Sequence, residues 1–414
     1  MERLPGFRDF YPEPIPHTDV WSADARQFIF EKWRTVARRY NFREYDGPPL
    51  EPLELFTTKS GDEIVAQLYN FTDKGERAIA LRPEMTPTLA RMIAAHERNY
   101  KKPVKWFAIP QLFRYERQQK GRLREHFQFN ADIIGETDPA ADAELIALLI
   151  DTLRGFGLTA QDFVIRLSSR NAWHDFYQSR KPKTENGNEY KFFQVIDKLE
   201  RAEPEESEKK LSALGFSLAE VNQFIEAGKP TAELESILQN LAARGLREFA
   251  KVDYKVVRGL AYYTGVVFEA FDAKGEFRAI AGGGRYDNLV KLISGGKVEL
   301  PALGFGMGDV VLLELLKARK LLPPFDSRTD VFVMIEDESF RPQSLQLIQD
   351  LRTAGYAVEF ALTPAKVDKQ FKRAQELKAA FTARVENDAY VRIRNLKTRA
   401  EVVAGFADTK NHLR

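Results

Sequence analysis

The chain has 414 residues, of which 44% are hydrophobic and 29% are charged, enough apolar material for two or three soluble globular domains. Its 62 basic and 60 acidic residues leave a net charge of +2, so a polyanion would have to be bound by a local patch and not by the overall field. Because the chain contains no cysteine, disulfides, thiolate nucleophiles and thiolate metal ligands are excluded.

No apolar run approaches the length of a membrane-spanning helix, and MERLPGFRDF at the N terminus lacks the basic-then-apolar layout of a signal peptide. We therefore expect a cytoplasmic protein without a membrane partner. The histidines are scattered without the spacing of metal ligands, which argues against a structural zinc site; they are His17, His96, His126, His174 and His412.

The first half of the chain predicts a helix followed by strands. Residues 18–42 have helical periodicity, and the prolines of YDGPPLEPLELF, residues 45–56, indicate the start of a strand. Residues 105–136 alternate as strand, charged loop and strand, with Gly121 at the predicted turn. This pattern predicts an antiparallel hairpin.

The second half predicts an insertion, more strands and a separate domain. Residues 170–248 are charged and amphipathic, which favours a helical insertion, and residues 254–290 return to strands with turns at DAKGE and at GGG. Paired prolines in KLLPPFDSR place a domain boundary near residue 325. Beyond it, strands and helices alternate as in a small α/β domain.

Residues 366–414 carry twelve Lys/Arg against six Asp/Glu, enough for a phosphate-facing patch. For such a run alone, a solvated basic face is the simpler interpretation.

Several segments carry side chains suited to chemistry. In LRPEMTPTLAR, an extended backbone would point Glu84 and Thr86 to one face, where they suit an ammonium group. The alternative, favoured for this segment alone, is a helix start with Pro83 and Glu84 in the first turn. Gln128 and Asp132 have even spacing and should face the same side of the second hairpin strand.

The predicted turn of the hairpin is rich in cations, which either fork onto phosphate oxygens or form a solvated charged face. They are Arg114, Arg117, Lys120, Arg122 and Arg124. The glycines of AGGGRYDNL are a weak phosphate-loop signal, and a tight turn between strands explains them as well.

These segments together resemble the histidyl-tRNA synthetase family of class II aminoacyl-tRNA synthetases. LRPEMTPTLAR, FRYERQQKGRLREHFQFNADIIGE, RGLAYYTGVVFEA and AGGGRYDNLV occur in the order and approximate spacing of that family, and GFRDFYPE and YDGPPLEPLELF extend the match. RGLAYYTG and GFGMGD resemble its cyanobacterial and plant-organellar branch.

The resemblance implies an α+β fold: a six- or seven-stranded antiparallel sheet with flanking helices in a catalytic domain, residues 1–325, with the helical insertion at about 170–248. It also implies an α/β anticodon-binding domain, residues 329–414, and a homodimer. The implied activity is the ATP- and Mg²⁺-dependent attachment of L-histidine to tRNA(His) through a histidyl-adenylate.

The same resemblance implies roles for individual residues. Arg258 and Arg114 would be catalytic, and no metal ligand is assigned. Histidine would be bound by Glu84, Thr86, Arg114, Gln128, Asp132, Arg258, Tyr262 and Tyr263. ATP would be bound by Arg114, Glu116, Arg122 and Arg258. A buried Arg258 needs anionic partners, and no carboxylate immediately flanks it, so a ligand could supply them.

Three positions depart from the family pattern. Asp132 stands where glutamate is common, and Ala261 stands where aspartate is common. Val311, in GFGMGDVVLLEL, takes the place of an arginine in the third sequence motif of the family. An alternative function is therefore that of the catalytically inactive, histidyl-synthetase-like regulatory subunit of ATP phosphoribosyltransferase. That subunit normally lacks the anticodon domain. The basic C-terminal domain and the retained Arg114, Gln128 and Arg258 argue against this alternative.

Overall fold

The computed structural model describes residues 2–17, 20–58, 66–115, 123–180, 188–200, 202–257, 262–325 and 329–413. The chain divides into two compact units. The large unit contains Met1–Phe10 and Ala23–Leu322, and the small unit contains Tyr11–Ser22 and Pro323–Arg414. Two short strands, β1 (Phe10–Tyr11) and β2 (Trp21–Ser22), lie near the N terminus.

The large unit is built on a nine-stranded sheet and a smaller three-stranded one. The strands are β3 (Arg43–Glu44), β4 (Leu50–Pro52), β5 (Asn70–Thr72), β6 (Ala78–Leu81), β7 (Val104–Ala108), β8 (Gln111–Phe113), β9 (Glu125–Ile134), β10 (Phe163–Ser169), β11 (Ala250–Val252), β12 (Val266–Asp272), β13 (Ala281–Arg285) and β14 (Ala302–Gly308). The large sheet has the order β11-β10-β12-β13-β14-β9-β7-β3, with β8 paired to β9, and the small sheet has the order β4-β6-β5.

The large sheet has more strands than the six or seven expected. Its centre, from β10 to β7, is antiparallel throughout, but β3 and β11 add a parallel strand at each edge. A parallel neighbour requires a long crossover, usually through a helix. Helices do lie between β3 and β7 and between β10 and β11, so these crossovers explain the additional edge strands.

Helices flank these sheets. They are α1 (Ala23–Arg39), α2 (Leu53–Thr57), α3 (Thr86–His96), α4 (Pro139–Arg154), α5 (Arg170–Arg180), α6 (Asn188–Lys198), α7 (Pro204–Ser212), α8 (Leu218–Ala227), α9 (Ala232–Ala243), α10 (Leu289–Ile293) and α11 (Asp309–Ala318). The periodicity of residues 18–42 predicted α1 correctly: Ile29, Trp33 and Val36 are buried on one face. Helices α5 to α9 occupy most of residues 170–243, and their status as an inserted domain stays a prediction.

The small unit has the predicted alternation of strand and helix. It contains β15 (Val331–Met334), α12 (Arg341–Thr353), β16 (Val358–Phe360), α13 (Val367–Glu376), β17 (Phe381–Val385), β18 (Tyr390–Asn395) and β19 (Glu401–Gly405). The sheet order is β16-β15-β17-β18-β19, parallel around β15 and antiparallel in the last hairpin. The sequence did not predict β18 and β19. The predicted α+β fold class is nevertheless confirmed.

Of the helices in the described ranges, none combines the length and the apolar character that crossing a bilayer requires.

Candidate active site

A small cavity of about 90 Å³ lies on one face of the large sheet. Seven of the side chains predicted to bind ligand line it: Glu84, Thr86, Arg114, Gln128, Asp132, Tyr262 and Tyr263. They come from four separate parts of the chain, and folding brings them together. The other three predicted residues, Arg258, Glu116 and Arg122, lie outside the described residues, as do Ala261 and the predicted turn at Gly121.

Glu84 and Thr86 reach the cavity differently from either sequence interpretation. The backbone is not extended there, and Pro83 and Glu84 precede the first helical turn, because α3 begins at Thr86 with Pro87 in its first turn. Pro87 favours a helix start here, because backbone N–H groups in the first turn have no acceptor within the helix and proline has no N–H to leave unpaired. Glu84 is buried in the loop before the helix. It accepts a hydrogen bond of 3.2 Å from the Tyr262 hydroxyl.

The predicted shared face of Gln128 and Asp132 is confirmed. Both lie on β9 and line the cavity together with Asn130, as the two-residue period of a strand requires. The neighbouring strand β14 has glycine opposite both side chains: Gly304 pairs with Asp132, and Gly308 pairs with Gln128. A Cβ at Gly306 would lie 2.6 Å from the Gln128 amide carbon, so glycine makes room for this side chain.

The prediction of a turn at GGG is wrong. Residues 282–284 lie inside β13, where all three glycines are buried. A Cβ at Gly283 would lie 2.1 Å from the Gly304 carbonyl oxygen, and one at Gly284 would lie 2.6 Å from the Val266 carbonyl oxygen. Glycine is therefore required here by close approach of the neighbouring strands and not by a turn.

The three residues that follow these glycines hold the site together. Arg285 binds Asp142 at the start of α4, with Nη2 2.6 Å from Oδ2. The Tyr286 hydroxyl donates a hydrogen bond of 2.5 Å to Asp132. Asp287 accepts a hydrogen bond from the Thr264 hydroxyl, two residues after Tyr262. Sequence reasoning missed all three, although their position after a glycine-rich strand could have indicated a structural role.

The Asp132 carboxyl has an unusual environment. Its side chain is buried, which raises its pKa to about 7, and the hydrogen bond from Tyr286 opposes this shift. Within the described residues no cation forms an ion pair with Asp132. Burial without a paired charge disfavours the ionised form of a carboxyl.

A second buried cluster lies next to the site. Arg8 donates hydrogen bonds to Glu125 at 2.6 Å and to Asp309 at 2.8 Å, and all three side chains are buried. Asp309 also accepts a hydrogen bond from the Phe127 backbone. Arg8 therefore joins the N-terminal segment to β9 and to α11, the helix that carries Val311. No local pattern in the sequence predicts this contact.

His126, on β9, lies near both Arg114 of the cavity and Arg8 of the buried cluster, and its ring is uncharged. Burial, Arg114 and Arg8 lower the pKa of His126 to about 3, so the ring is neutral at physiological pH.

Comparison with known proteins decides the family. A family model described as Histidyl-tRNA synthetase matches residues 18–309, well over half of the chain. The chain belongs to the histidyl-tRNA synthetase family. A model described as Anticodon binding domain matches residues 330–414.

Relatives in the histidyl-tRNA synthetase family match almost the whole chain. A histidine–tRNA ligase of Opitutus terrae is 44% identical, covering 97% of this chain and 95% of its own length. The chloroplastic and mitochondrial histidine–tRNA ligase of Arabidopsis thaliana is 38% identical, covering 90% of this chain and 78% of its own length. The crystal structure of histidyl-tRNA synthetase from Nostoc sp. PCC 7120 has the same fold, with a TM-score of 0.75 at 22% identity and 97% coverage of both chains.

Proposed function

We infer that the chain attaches L-histidine to tRNA(His) with ATP, through a histidyl-adenylate. What carries this inference is the convergence of seven expected ligand-binding side chains on one cavity, in a chain whose histidyl-tRNA synthetase relatives match over nearly its full length. Histidine–tRNA ligase activity is therefore the function of this family member.

We propose that the cavity binds histidine in one orientation. Glu84, Thr86 and Gln128 would surround the ammonium group, because a carboxylate, a hydroxyl and an amide all offer acceptor oxygens. Arg114 would bind the carboxylate, and its Nε is held by the Pro83 carbonyl oxygen at 2.9 Å. Asp132 would accept a hydrogen bond from the imidazole ring, between Tyr262 and Tyr263.

We propose that ATP is bound beside this cavity by Arg114, Glu116, Arg122 and Arg258. Family membership implies that ATP is used. The reaction needs little acid–base chemistry, because the histidine carboxylate attacks the α-phosphate and pyrophosphate leaves, so positioning and charge neutralisation dominate. Replacing Arg258 by alanine should slow adenylate formation about a hundredfold or more, with lysine rescuing only partly.

Mg²⁺ would accompany the ATP phosphates. A magnesium ion bound through substrate phosphates needs only one or two protein carboxylates. Among the described residues no cluster of three acidic or histidine side chains could hold a metal ion alone, which fits an ion that arrives with the nucleotide. We assign it no ligand.

For the tRNA, we propose contact through a groove of about 750 Å³ in the small unit, here called the basic groove. Four cations line it, Lys378, Arg394, Lys397 and Arg399, with the ring of Phe371 and without an acidic residue. The Arg394 guanidinium lies 5.7 Å from the centre of that ring. Cations beside a partly buried aromatic ring suit the phosphates and bases of an RNA loop.

The turn between β18 and β19 presents two of these cations. The Asn395 side chain accepts hydrogen bonds of 2.9 Å from the backbone of Lys397 and of Thr398. The backbone N–H of Arg399 donates to the Asn395 carbonyl, and its φ of +65° is held by this contact. The turn is thus fixed before any ligand binds.

Four finer assignments remain proposals. We propose a catalytic domain of residues 1–325 with its insertion at 170–248 and an anticodon-binding domain of residues 329–414. The division of the chain after Leu322 supports the boundary between the two domains, although Tyr11–Ser22 group with the small unit. We also propose a homodimer, consistent with exposed Leu50 and Phe71 on the small sheet of the large unit, and a cytoplasmic location.

The regulatory-subunit alternative has less support. The domain matched at residues 330–414 is one that such subunits normally lack, and the relatives that match over most of the chain are ligases. The experiment that tests the proposed function is charging of purified tRNA(His) with radiolabelled histidine and ATP. Charging of tRNA(His) alone is expected, and its absence with active tRNA would refute the proposal.

A further inference from the structure

We propose that Tyr286 is a positioning residue for histidine selection: its hydroxyl fixes one oxygen of Asp132 and leaves the other to accept the imidazole N–H. This inference rests on the proposed function. Three observations support it: the contact between the two side chains, the close packing of the buried Tyr286 ring, and the room that β14 leaves for the carboxylate.

Tyr286 is held on several sides. Its side chain is buried, its backbone N–H donates to the Ala302 carbonyl at 2.7 Å, and its ring packs edge-to-face against Tyr262 at 6.0 Å. It also belongs to the apolar cluster that contains Leu89 and Leu289. Because this packing restricts the ring, the hydroxyl stands at a defined place from which it can position the Asp132 carboxylate.

Asp132 is held from the opposite side by the sheet. It pairs with Gly304 on β14 and with Trp106 on β7. Oδ1 points over Gly304 and accepts the 2.5 Å hydrogen bond from Tyr286. Among the described residues no group donates a hydrogen bond to Oδ2. The carboxylate therefore has one fixed oxygen and one oxygen left for a ligand.

Other ionisable groups surround this pair. Tyr262 lies on the 262–263 segment and bonds to Glu84 in the loop before α3. Arg82 binds Asp46 at 3.0 Å, so its charge is already paired. Burial raises the pKa of Tyr45 well above its ordinary value, and the nearby Asp132 charge raises it further. The buried Tyr45 hydroxyl has no hydrogen-bond partner in the described part of the chain.

The hydrogen bond from Tyr286 affects the protonation of Asp132. A donor to a carboxylate favours the ionised form, and here it opposes the larger effect of burial. Only the ionised form presents an acceptor at both oxygens. Without the hydroxyl, the pKa of Asp132 should rise further, and a smaller fraction of the protein would accept the imidazole N–H at neutral pH.

The test compares Tyr286→Phe with Tyr45→Phe. Both remove the hydroxyl of a buried tyrosine beside Asp132, but only that of Tyr286 is hydrogen-bonded to it. The measurement is histidine-dependent ATP–pyrophosphate exchange from pH 5.5 to 9, giving kcat and KM for histidine and the KM for ATP. Thermal unfolding checks that both variants are folded.

We expect Tyr286→Phe to lower kcat/KM for histidine about ten- to a hundredfold at pH 7.5, mainly through KM, with the KM for ATP unchanged. The acidic limb of its pH–rate profile should move to higher pH, because loss of the hydroxyl raises the pKa of Asp132. The pKa of free histidine is the same in every reaction, so any shift of the limb belongs to the protein. Tyr45→Phe should follow the parent. An unmoved limb in Tyr286→Phe, or equal effects of the two substitutions, would overturn the inference.

Four further outcomes separate the role of Tyr286 from the proposed function. If Tyr286→Phe does not fold, combining it with Asp132→Asn removes the charge that the hydroxyl stabilises; restored folding supports the pairing, and continued misfolding contradicts it. A parent protein that shows no exchange with histidine would refute the proposed function. A parent that is active while Tyr286→Phe is indistinguishable from it would refute only the role of Tyr286.

Discussion

Gly304 and Asp132 face each other on paired strands, and the carboxylate of Asp132 occupies the space that Gly304 leaves open. A Cβ on residue 304 would lie 1.9 Å from Oδ1 of Asp132 and 3.1 Å from the Ala131 carbonyl oxygen. The shape of the pocket thus depends on the absence of one methyl group.

Gly304→Ala should therefore displace Asp132 and abolish histidine recognition. We expect kcat/KM for histidine in pyrophosphate exchange to fall at least about a hundredfold, and stability to fall by about 1–3 kcal/mol from overpacking. Gly308→Ala is the matched control on the same strand, because nothing lies within 4 Å of its added Cβ. Full activity of Gly304→Ala would show that Asp132 does not read the ligand from this position.

Asp132→Asn should weaken histidine binding but stabilise the protein without ligand, by an amount that depends on pH. The folded-state pKa of Asp132 is about 7, above the ordinary value of about 4, so ionising it destabilises the fold as pH rises towards 7. Asparagine removes this cost. Its stabilisation should be about 2 kcal/mol larger at pH 8 than at pH 5 in chemical unfolding. A gain that does not change with pH would contradict the buried, unpaired carboxyl.

Arg8→Met should destabilise the large unit strongly. It leaves the buried carboxylates of Glu125 and Asp309 without their cation, at a cost of about 3–5 kcal/mol. Since burial already raises the pKa of Asp309, part of the loss should be recovered as pH falls and the carboxyls take up protons. Arg3→Met is the control: Arg3 pairs with Asp9 at the surface, where such pairs contribute little. Equal melting temperatures for the two variants would refute the buried cluster.

The basic groove predicts how the small unit binds RNA. The double substitution Lys397→Gln with Arg399→Gln should raise the KM for tRNA. The plot of log(1/KM) for tRNA against log salt concentration should become shallower, its slope changing by between one and two. Pyrophosphate exchange should not change, because the groove lies outside the unit that carries the cavity. Arg373→Gln is the control, on α13 but paired with Glu376. An unchanged salt slope in the double variant would place the tRNA elsewhere.

Local patterns were sufficient for most of the secondary structure. The periodicity of α1 and the alternation of strand and helix in the small unit follow from burial of one face. The glycines of residues 282–284 were misread because glycine is permitted in turns and in strands alike. Only the approach of Gly304 and Val266 from neighbouring strands distinguishes the two, and that approach is not encoded locally.

The sequence predicts those site residues that lie on the same strand or that belong to a motif of the family. Gln128 and Asp132 share a face because both lie on one strand. Tyr286 and Arg8 were missed because their partners are far along the chain: Asp132 is 154 residues from Tyr286, and Asp309 is 301 residues from Arg8. Such contacts depend on the completed sheet, so no window of the sequence contains them.

ATP–pyrophosphate exchange with a panel of amino acids tests most directly whether this chain activates histidine by reading its imidazole through Asp132. We expect exchange with L-histidine only, and a histidine KM that rises much more than the ATP KM in Asp132→Asn. Exchange of similar rate with another amino acid, or an unchanged histidine KM in that variant, would contradict it.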